Sequence, residues 1–295
     1  MKNYQRLKGL IAASFTPMDA EGKVNLPVIG KYADLMAKSG MTGVFVCGTT
    51  GESLSLTVEE RKNILEQWVK SADGRFKVIA HVGSDSLFES MDLAKHAYGS
   101  GADAIAAMAP CFFKPATVKE LIAFFAPIAK SAGELPFYYY NMPSMTGVSL
   151  PVAEFLVEGK KSIPNLAGTK FTHNNLMEMG ECLALNNGEF EVLHGYDEIL
   201  ISGLAFGAVA SAGVLFLTDN LSTAIIVAGI TCILIFVSHP KTKPFLVIIG
   251  IGIAVAAVGI AILSVTVANS DNFRLQRGIW WVNPGGSGDT GRFQA

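Results

Sequence analysis

Cysteine is scarce in this chain of 295 residues, and Cys47, Cys111, Cys182 and Cys232 lie far apart with no paired spacing. That spacing excludes a disulfide framework and a zinc cluster, and leaves reduced thiols in a cytosolic setting as the plain expectation. An excess of charge of one sign is missing as well: 23 basic side chains nearly cancel 25 acidic ones. With no basic patch interleaved with aromatics, nucleic acid is excluded as a partner. The segment from Met1 to Lys8 is basic, but the apolar stretch after it runs within a few residues into Thr16-Pro17, so no signal peptide is expected. Because 50% of the residues are apolar, disorder is excluded too.

The scarcest commodity is charge in the last third. Residues 211–295 hold only Lys241, Lys243, Arg274, Arg277, Arg292, Asp219, Asp271 and Asp289, so the charged, mildly acidic part of the chain is residues 1–210. Asn220 to Pro240 and Pro244 to Ser270 are uncharged runs of 21 and 27 residues. At 1.5 Å per residue each is long enough to cross a hydrocarbon core of about 30 Å, so two transmembrane helices are expected, with a buried helical hairpin as the competing reading. Gly250/Ala254 and Gly252/Ala256 would let the two helices approach closely.

The first 210 residues alternate short apolar runs with amphipathic stretches, the period of repeated βα units. Strands are predicted at 9–14, 42–47, 76–82, 103–108, 136–141, 165–170 and 190–194, and helices at 27–38, 57–71, 86–98, 117–131, 150–158, 173–185 and 197–205. Ala208-Val209-Ala210 would begin an eighth strand, and Thr57 to Glu60 resembles a capping box. This spacing suits an α/β fold of the (β/α)8 barrel type, incomplete at the eighth unit, although counting alone leaves a doubly wound sheet open.

In such a barrel chemistry sits at the carboxyl ends of the strands, and the polar residues collect there. Gly48-Thr49-Thr50-Gly51-Glu52 ends the second strand, Tyr140-Asn141 the fifth and Lys170 the sixth, while the seventh runs into Gly195-Tyr196-Asp197-Glu198. A lysine at the inner end of a strand must shed hydration, which favours the free amine that attacks carbonyl groups. Taken alone it could equally be a snorkelling or paired lysine. Tyr140 offers a phenol for proton transfer, or a packing aromatic, and the Gly-Thr-Thr-Gly turn offers hydroxyls and N–H groups that suit a carboxylate, or a simple connection. His81, His96, His173 and His194 show no ligand spacing and read as satisfied or exposed, so no metal is expected.

Together Thr16-Pro17, Gly48 to Glu52, Ala80-His81-Val82-Gly83, Tyr140-Asn141-Met142-Pro143, Gly168-Thr169-Lys170 and Gly195 to Glu198 resemble the N-acetylneuraminate lyase branch of the pyruvate-dependent aldolase family. That family also contains dihydrodipicolinate synthase, and the resemblance covers about residues 7–210. It implies that Lys170 forms a Schiff base with pyruvate, that Tyr140 is the proton donor and that Thr49 and Thr50 hold the carboxylate. It further implies that Thr172, Gly195, Asp197 and Glu198 bind the sugar-derived chain, with no cofactor and no metal. Met145 stands where the synthase carries an arginine for a second carboxylate, which favours the lyase branch over another pyruvate-dependent aldolase. Phe112 stands where many relatives place a relay tyrosine.

Relatives continue the eighth strand into Gly-X-Gly-Ser-Thr-Tyr, whereas here Val214 falls at the serine. Residues 211–295 instead resemble a fragment of the shape, elongation, division and sporulation family of membrane peptidoglycan polymerases. The likeness rests on Asp219 to Ala224, Trp281 to Pro284 and Arg292 to Gln294, with Ser287 where that family places an aspartate and Asp289 two residues later. The chain therefore reads as a join of unrelated segments near residue 210. The expectation is a cytoplasmic lyase barrel that cleaves N-acetylneuraminate to N-acetylmannosamine and pyruvate, followed by a membrane-inserted tail. The alternative is a joined membrane-protein fragment with the barrel inactive. The family is usually homo-oligomeric.

Overall fold

The computed structural model describes residues 6–205 and 209–210. Its strands are β1 (Ile11–Ala13), β2 (Gly43–Val46), β3 (Lys77–His81), β4 (Ala104–Met108), β5 (Phe137–Asn141), β6 (Leu166–Phe171), β7 (Glu191–His194) and β8 (Val209–Ala210). They form one sheet in the order β1 to β8, with every neighbouring pair parallel. Sequential parallel order is the winding of a (β/α) barrel, and a doubly wound sheet, whose order reverses at a switch point, does not produce it. Among the described residues the ladder runs from β1 to β8 with no β8–β1 pairing, so the barrel is wound through seven units and the start of an eighth.

The helices are α1 (Leu26–Lys38), α2 (Val58–Ala72), α3 (Leu87–Ser100), α4 (Val118–Ser131), α5 (Pro143–Thr146), α6 (Val152–Ser162), α7 (Leu176–Ala184) and α8 (Leu200–Ala205). Their starts follow from capping. Thr57 accepts the Glu60 N–H at 3.2 Å while the Glu60 carboxylate accepts the Thr57 N–H at 2.8 Å, the reciprocal box foreseen from the sequence. Ser86, Thr117 and Asn175 cap α3, α4 and α7 by accepting the Glu89, Glu120 and Glu178 N–H, each contributing about 1 kcal/mol. Asn175 moves the start of α7 inward from the 173 expected. The four-residue α5 was not foreseen, because a single turn carries no periodicity.

Alternation along the strands separates two apolar layers. Val44, Val78, Ile105, Tyr139, Phe171 and Val192 face outward onto helix residues such as Ile29, Trp68, Phe125 and Phe155. Ile11, Phe45, Ile79, Ala106, Met108, Tyr138, Tyr140 and Leu193 fill the barrel. At the amino end the buried Glu191 carboxylate accepts the Leu7 N–H at 3.0 Å and the Tyr138 hydroxyl. Gly168 permits close approach of β6 and β7, since a Cβ there would meet the Glu191 backbone. The β5–β6 register shifts once: Phe137 pairs with Leu166 and Tyr138 with Gly168, leaving Ala167 unpaired. After the shift Tyr140 lies opposite Lys170.

Among the described residues no helix is long and apolar enough to cross a membrane. The spans expected at 220–240 and 244–270, with Val214, Ser287 and Asp289, lie outside the described residues.

Candidate active site

Lys170 is 4% exposed, inside the barrel toward the carboxyl end of β6. Its Nζ lies 3.8 Å from the centre of the Tyr140 ring and 4.9 Å from that of Phe45, and it donates to Thr172 Oγ1 at 3.3 Å. An amine between two aromatic faces, with the Thr172 and Tyr140 hydroxyls as partners, has given up most of its water. Burial alone would raise the Tyr140 phenol. The Lys170 charge and hydrogen bonds with Thr49, Lys170 and Thr172 outweigh it, and the net shift is down from 10. A phenol so placed exchanges protons more readily than a free tyrosine.

Thr49 brings the β2 turn to the same point. Its hydroxyl is 3.1 Å from the Tyr140 hydroxyl and 3.4 Å from the Met142 sulfur. The turn is closed by Gly51 N–H to Gly48 O at 3.0 Å and Glu52 N–H to Thr49 O at 3.0 Å, and Thr50 is exposed beside Thr49. Thr49, Tyr140, Lys170 and Thr172 are therefore one hydrogen-bonded cluster. Gly195, at the end of β7, completes it: a Cβ there would run into Thr172 Oγ1 and lie 3.1 Å from Lys170 Nζ. Asp197, half-buried, and Glu198, exposed, follow on the loop after β7.

Beside the cluster lies a cavity of about 290 Å³, lined by Thr49, Glu52, Asp85, Met108, Cys111 and Met145 among others. Met145, on α5, is 59% exposed and presents an apolar arm to it. Asp85 accepts the Cys111 and Phe112 N–H groups at 2.6 and 3.1 Å, and these bonds, against burial, hold its carboxyl below the usual range. Phe112 and Phe113 are 76% and 84% exposed and pack edge to face on each other.

Sequence reasoning missed His81 and Arg61. His81 is buried at the end of β3 with its ring edge-on to Tyr140, centroids 5.6 Å apart. The signal was present in Ala80-His81-Val82-Gly83, but a lone histidine in a strand says nothing of its neighbours. His96 is paired with Glu66 at 2.8 Å, and His194 Nε2 donates to the Tyr196 carbonyl at 2.9 Å. Among the described residues no group of three or more His, Cys, Asp or Glu could hold a metal ion.

A parallel barrel with an amine, a phenol and a hydroxyl-bearing turn converging at the carboxyl ends of its strands defines a class of enzyme-like site suited to carbonyl chemistry. Residues 6–228 match the dihydrodipicolinate synthetase family, and the chain belongs to it. It is 48% identical over 211 residues to the N-acetylneuraminate lyase of Xenopus tropicalis, a match covering 71% of this chain and 69% of that protein. Among solved structures it is similar to the N-acetylneuraminate lyase of Proteus mirabilis, with a TM-score of 0.70 and 36% identity over 80% of this chain and 85% of that one. The lyase of Aliivibrio salmonicida gives a TM-score of 0.71 and 39% identity over 77% and 76%. These comparisons give no support to the polymerase resemblance of residues 211–295 or to a membrane tail.

Proposed function

We propose that this chain is a carbon-carbon lyase that cleaves N-acetylneuraminate to N-acetylmannosamine and pyruvate through a Schiff base on Lys170. The observation that carries the reading is a buried amine 3.8 Å from the ring of a tyrosine whose phenol is shifted down, in a chain 48% identical to a protein named N-acetylneuraminate lyase. The Lys170 amine adds to the keto carbon of the open-chain substrate and water leaves, giving a protonated imine. A base removes the proton of the hydroxyl two carbons along. The bond between the hydroxyl-bearing carbon and the carbon next to the imine breaks, its electrons pass into the enamine, and the aldehyde departs. Protonation of the enamine carbon and addition of water release pyruvate and restore the amine.

In this scheme Tyr140 carries the protons, and Thr49 and Thr50 hold the carboxylate. Thr172, Gly195, Asp197 and Glu198 take the hydroxylated chain, since carboxylates accept hydrogen bonds from hydroxyls. The lysine nitrogen is itself the electron sink, so the scheme calls for no cofactor. Met145 offers no charge to a second carboxylate, which favours the sugar acid over a dicarboxylate partner. The membrane reading of residues 220–240 and 244–270 rests on hydropathy, and the boundary near 210 on the fall in charge and the break in the aldolase resemblance, while the family match runs on to residue 228. Sedimentation of the full chain with membranes would support that reading, and recovery in the supernatant after detergent-free lysis would remove it. The central test is borohydride reduction in the presence of pyruvate, with peptide mapping: label on Lys170 supports the assignment, and label elsewhere or none in folded protein overturns it.

A further inference from the structure

We propose that His81 is a positioning residue for the Thr49-Thr50 turn, fixed from behind by the buried Arg61, and that this pair sets how tightly the site takes an α-keto carboxylate. The inference rests on the reading of that turn as the carboxylate-binding element. Cys47 opens the turn with φ of 53°, a left-handed conformation unusual for a residue with a side chain. Such a backbone persists when its surroundings hold it, and here the Cys47 carbonyl accepts from His81 Nδ1 at 2.9 Å. The same nitrogen is 2.8 Å from Ser53 Oγ, and the Ser53 N–H donates to Gly48 O at 3.3 Å. Both ends of the turn thus meet one ring atom. Between them stands Thr49, bonded to the Tyr140 hydroxyl.

The other face of the ring fixes its tautomer. His81 Nε2 accepts the Met108 N–H at 3.3 Å, so the proton sits on Nδ1, pointing at Cys47. Gly83 makes room, because a Cβ there would lie 2.9 Å from Nε2 and from Met108 N. Arg61, reaching in from α2, donates to the His81 carbonyl at 2.7 Å and the Gly83 carbonyl at 2.9 Å. Among the described residues no carboxylate lies within ion-pair distance of it, Glu89 acting only from further off, and its Nε has no hydrogen-bond partner. A buried cation without a counter-ion is a poor stabiliser, whereas as a clamp on the last carbonyls of β3 it fixes where the imidazole stands.

The test is the pyruvate dependence of borohydride trapping on the full chain, read as label on Lys170. His81→Leu, which removes both ring nitrogens, should raise the half-saturating pyruvate concentration by about tenfold, the consequence of a misplaced binding hydroxyl. His81→Asn keeps an N–H near the Nδ1 position and should recover most of that loss, and Arg61→Met should fall between them. Adding Thr49→Val to His81→Leu should produce little further rise, since both act through one hydroxyl. A smaller trapped fraction at unchanged half-saturation would mean that His81 serves folding only, and would overturn the proposal. Should His81→Leu fail to fold, His81→Asn and Arg61→Met decide it on the same readout. Absence of label on Lys170 in the unmutated chain would instead remove the site reading, and this role with it.

Discussion

The Lys170 ammonium lies 3.8 Å from the centre of the Tyr140 ring, and the two groups set each other's chemistry. The cation favours phenolate over phenol, which is why the Tyr140 pKa falls although burial alone would raise it. Lys170→Met removes that charge and leaves burial opposed only by the Thr49 and Thr172 hydrogen bonds, so the Tyr140 phenol should move up. Spectrophotometric titration of phenolate checks this: the earliest phenol to ionise in the unmutated chain should be delayed in the variant. An unchanged earliest step would separate Tyr140 from the lysine.

Tyr140→Phe keeps the ring under the ammonium and removes only the hydroxyl. Turnover of N-acetylneuraminate should drop by about 10²- to 10⁴-fold, the usual worth of a positioned acid-base group. Trapping of pyruvate on Lys170 should remain measurable. If trapping vanished along with turnover, the phenol would be needed to form the imine rather than to move protons within it.

Asp197 follows β7 on the loop at the carboxyl ends of the strands, where the proposed scheme has it accept hydrogen bonds from the hydroxylated chain. Asp197→Ala should weaken sugar turnover while sparing pyruvate trapping, by roughly the 1.5 to 3 kcal/mol of a hydrogen bond to a charged group, or about 10- to 150-fold. Steady-state kinetics beside trapping kinetics decides it, and equal losses in both would remove Asp197 from chain recognition.

Two glycines predict opposite kinds of damage. A Cβ on Gly168 meets the β7 backbone at the Glu191 carbonyl, carbon and nitrogen, none of which can yield without parting the strands. Gly168→Ala should cost about 3 kcal/mol of stability. A Cβ on Gly195 meets the Thr172 hydroxyl and the flexible end of Lys170. Gly195→Ala should keep its unfolding midpoint and lose trapping. Urea denaturation and borohydride labelling of both variants separate the two cases.

Acid should destabilise the barrel through His81. Burial, then the nearby Arg61 charge, push its pKa well below 6.5, so the unfolded chain binds a proton there that the folded chain refuses. More protons in the unfolded state mean that stability rises with pH, so this contribution is whole above 6.5 and is lost as pH falls from 6.5 toward the folded value. The slope approaches about 1.4 kcal/mol per pH unit for one such group. His194, also shifted down by burial, adds in the same direction. Urea midpoints measured between pH 7 and 5 should fall, and less steeply in His81→Asn.

The strand ends were readable because each is an apolar run stopped by a polar residue, and Lys170, Tyr140 and Thr49 stand at three such stops. The carboxyl ends of barrel strands share one mouth, so these three could be brought together from the sequence. His81 could not be read that way, since its importance lies in contacts with Cys47, Ser53 and Met108, residues 27 to 34 positions away that only the winding brings near. Arg61 was still less visible: on a helix it looks like any solvated charge, and its burial depends on how α2 lies against β3. Asp85 meeting Cys111 is likewise a product of neighbouring loops rather than of either segment's pattern.

The unpaired Ala167 is a spare residue in β6 that the gene could lose. Ala167 faces the barrel interior, and by strand alternation so do Gly168 and Lys170 after it; this doubled inward step offsets the later residues of β6 against β5. Were the register continuous from Phe137 and Leu166, Tyr140 would stand opposite Thr169, and Lys170 opposite Asn141. Loss of the single codon for Ala167 would spare every reactive group and keep the reading frame. It would also make Leu166 and Gly168 consecutive opposite Phe137 and Tyr138, so Tyr140 would still face Lys170. An alignment gap at this one place is compatible with the same chemistry, whereas a gap at Thr169, with Ala167 still unpaired, would part the amine from the phenol.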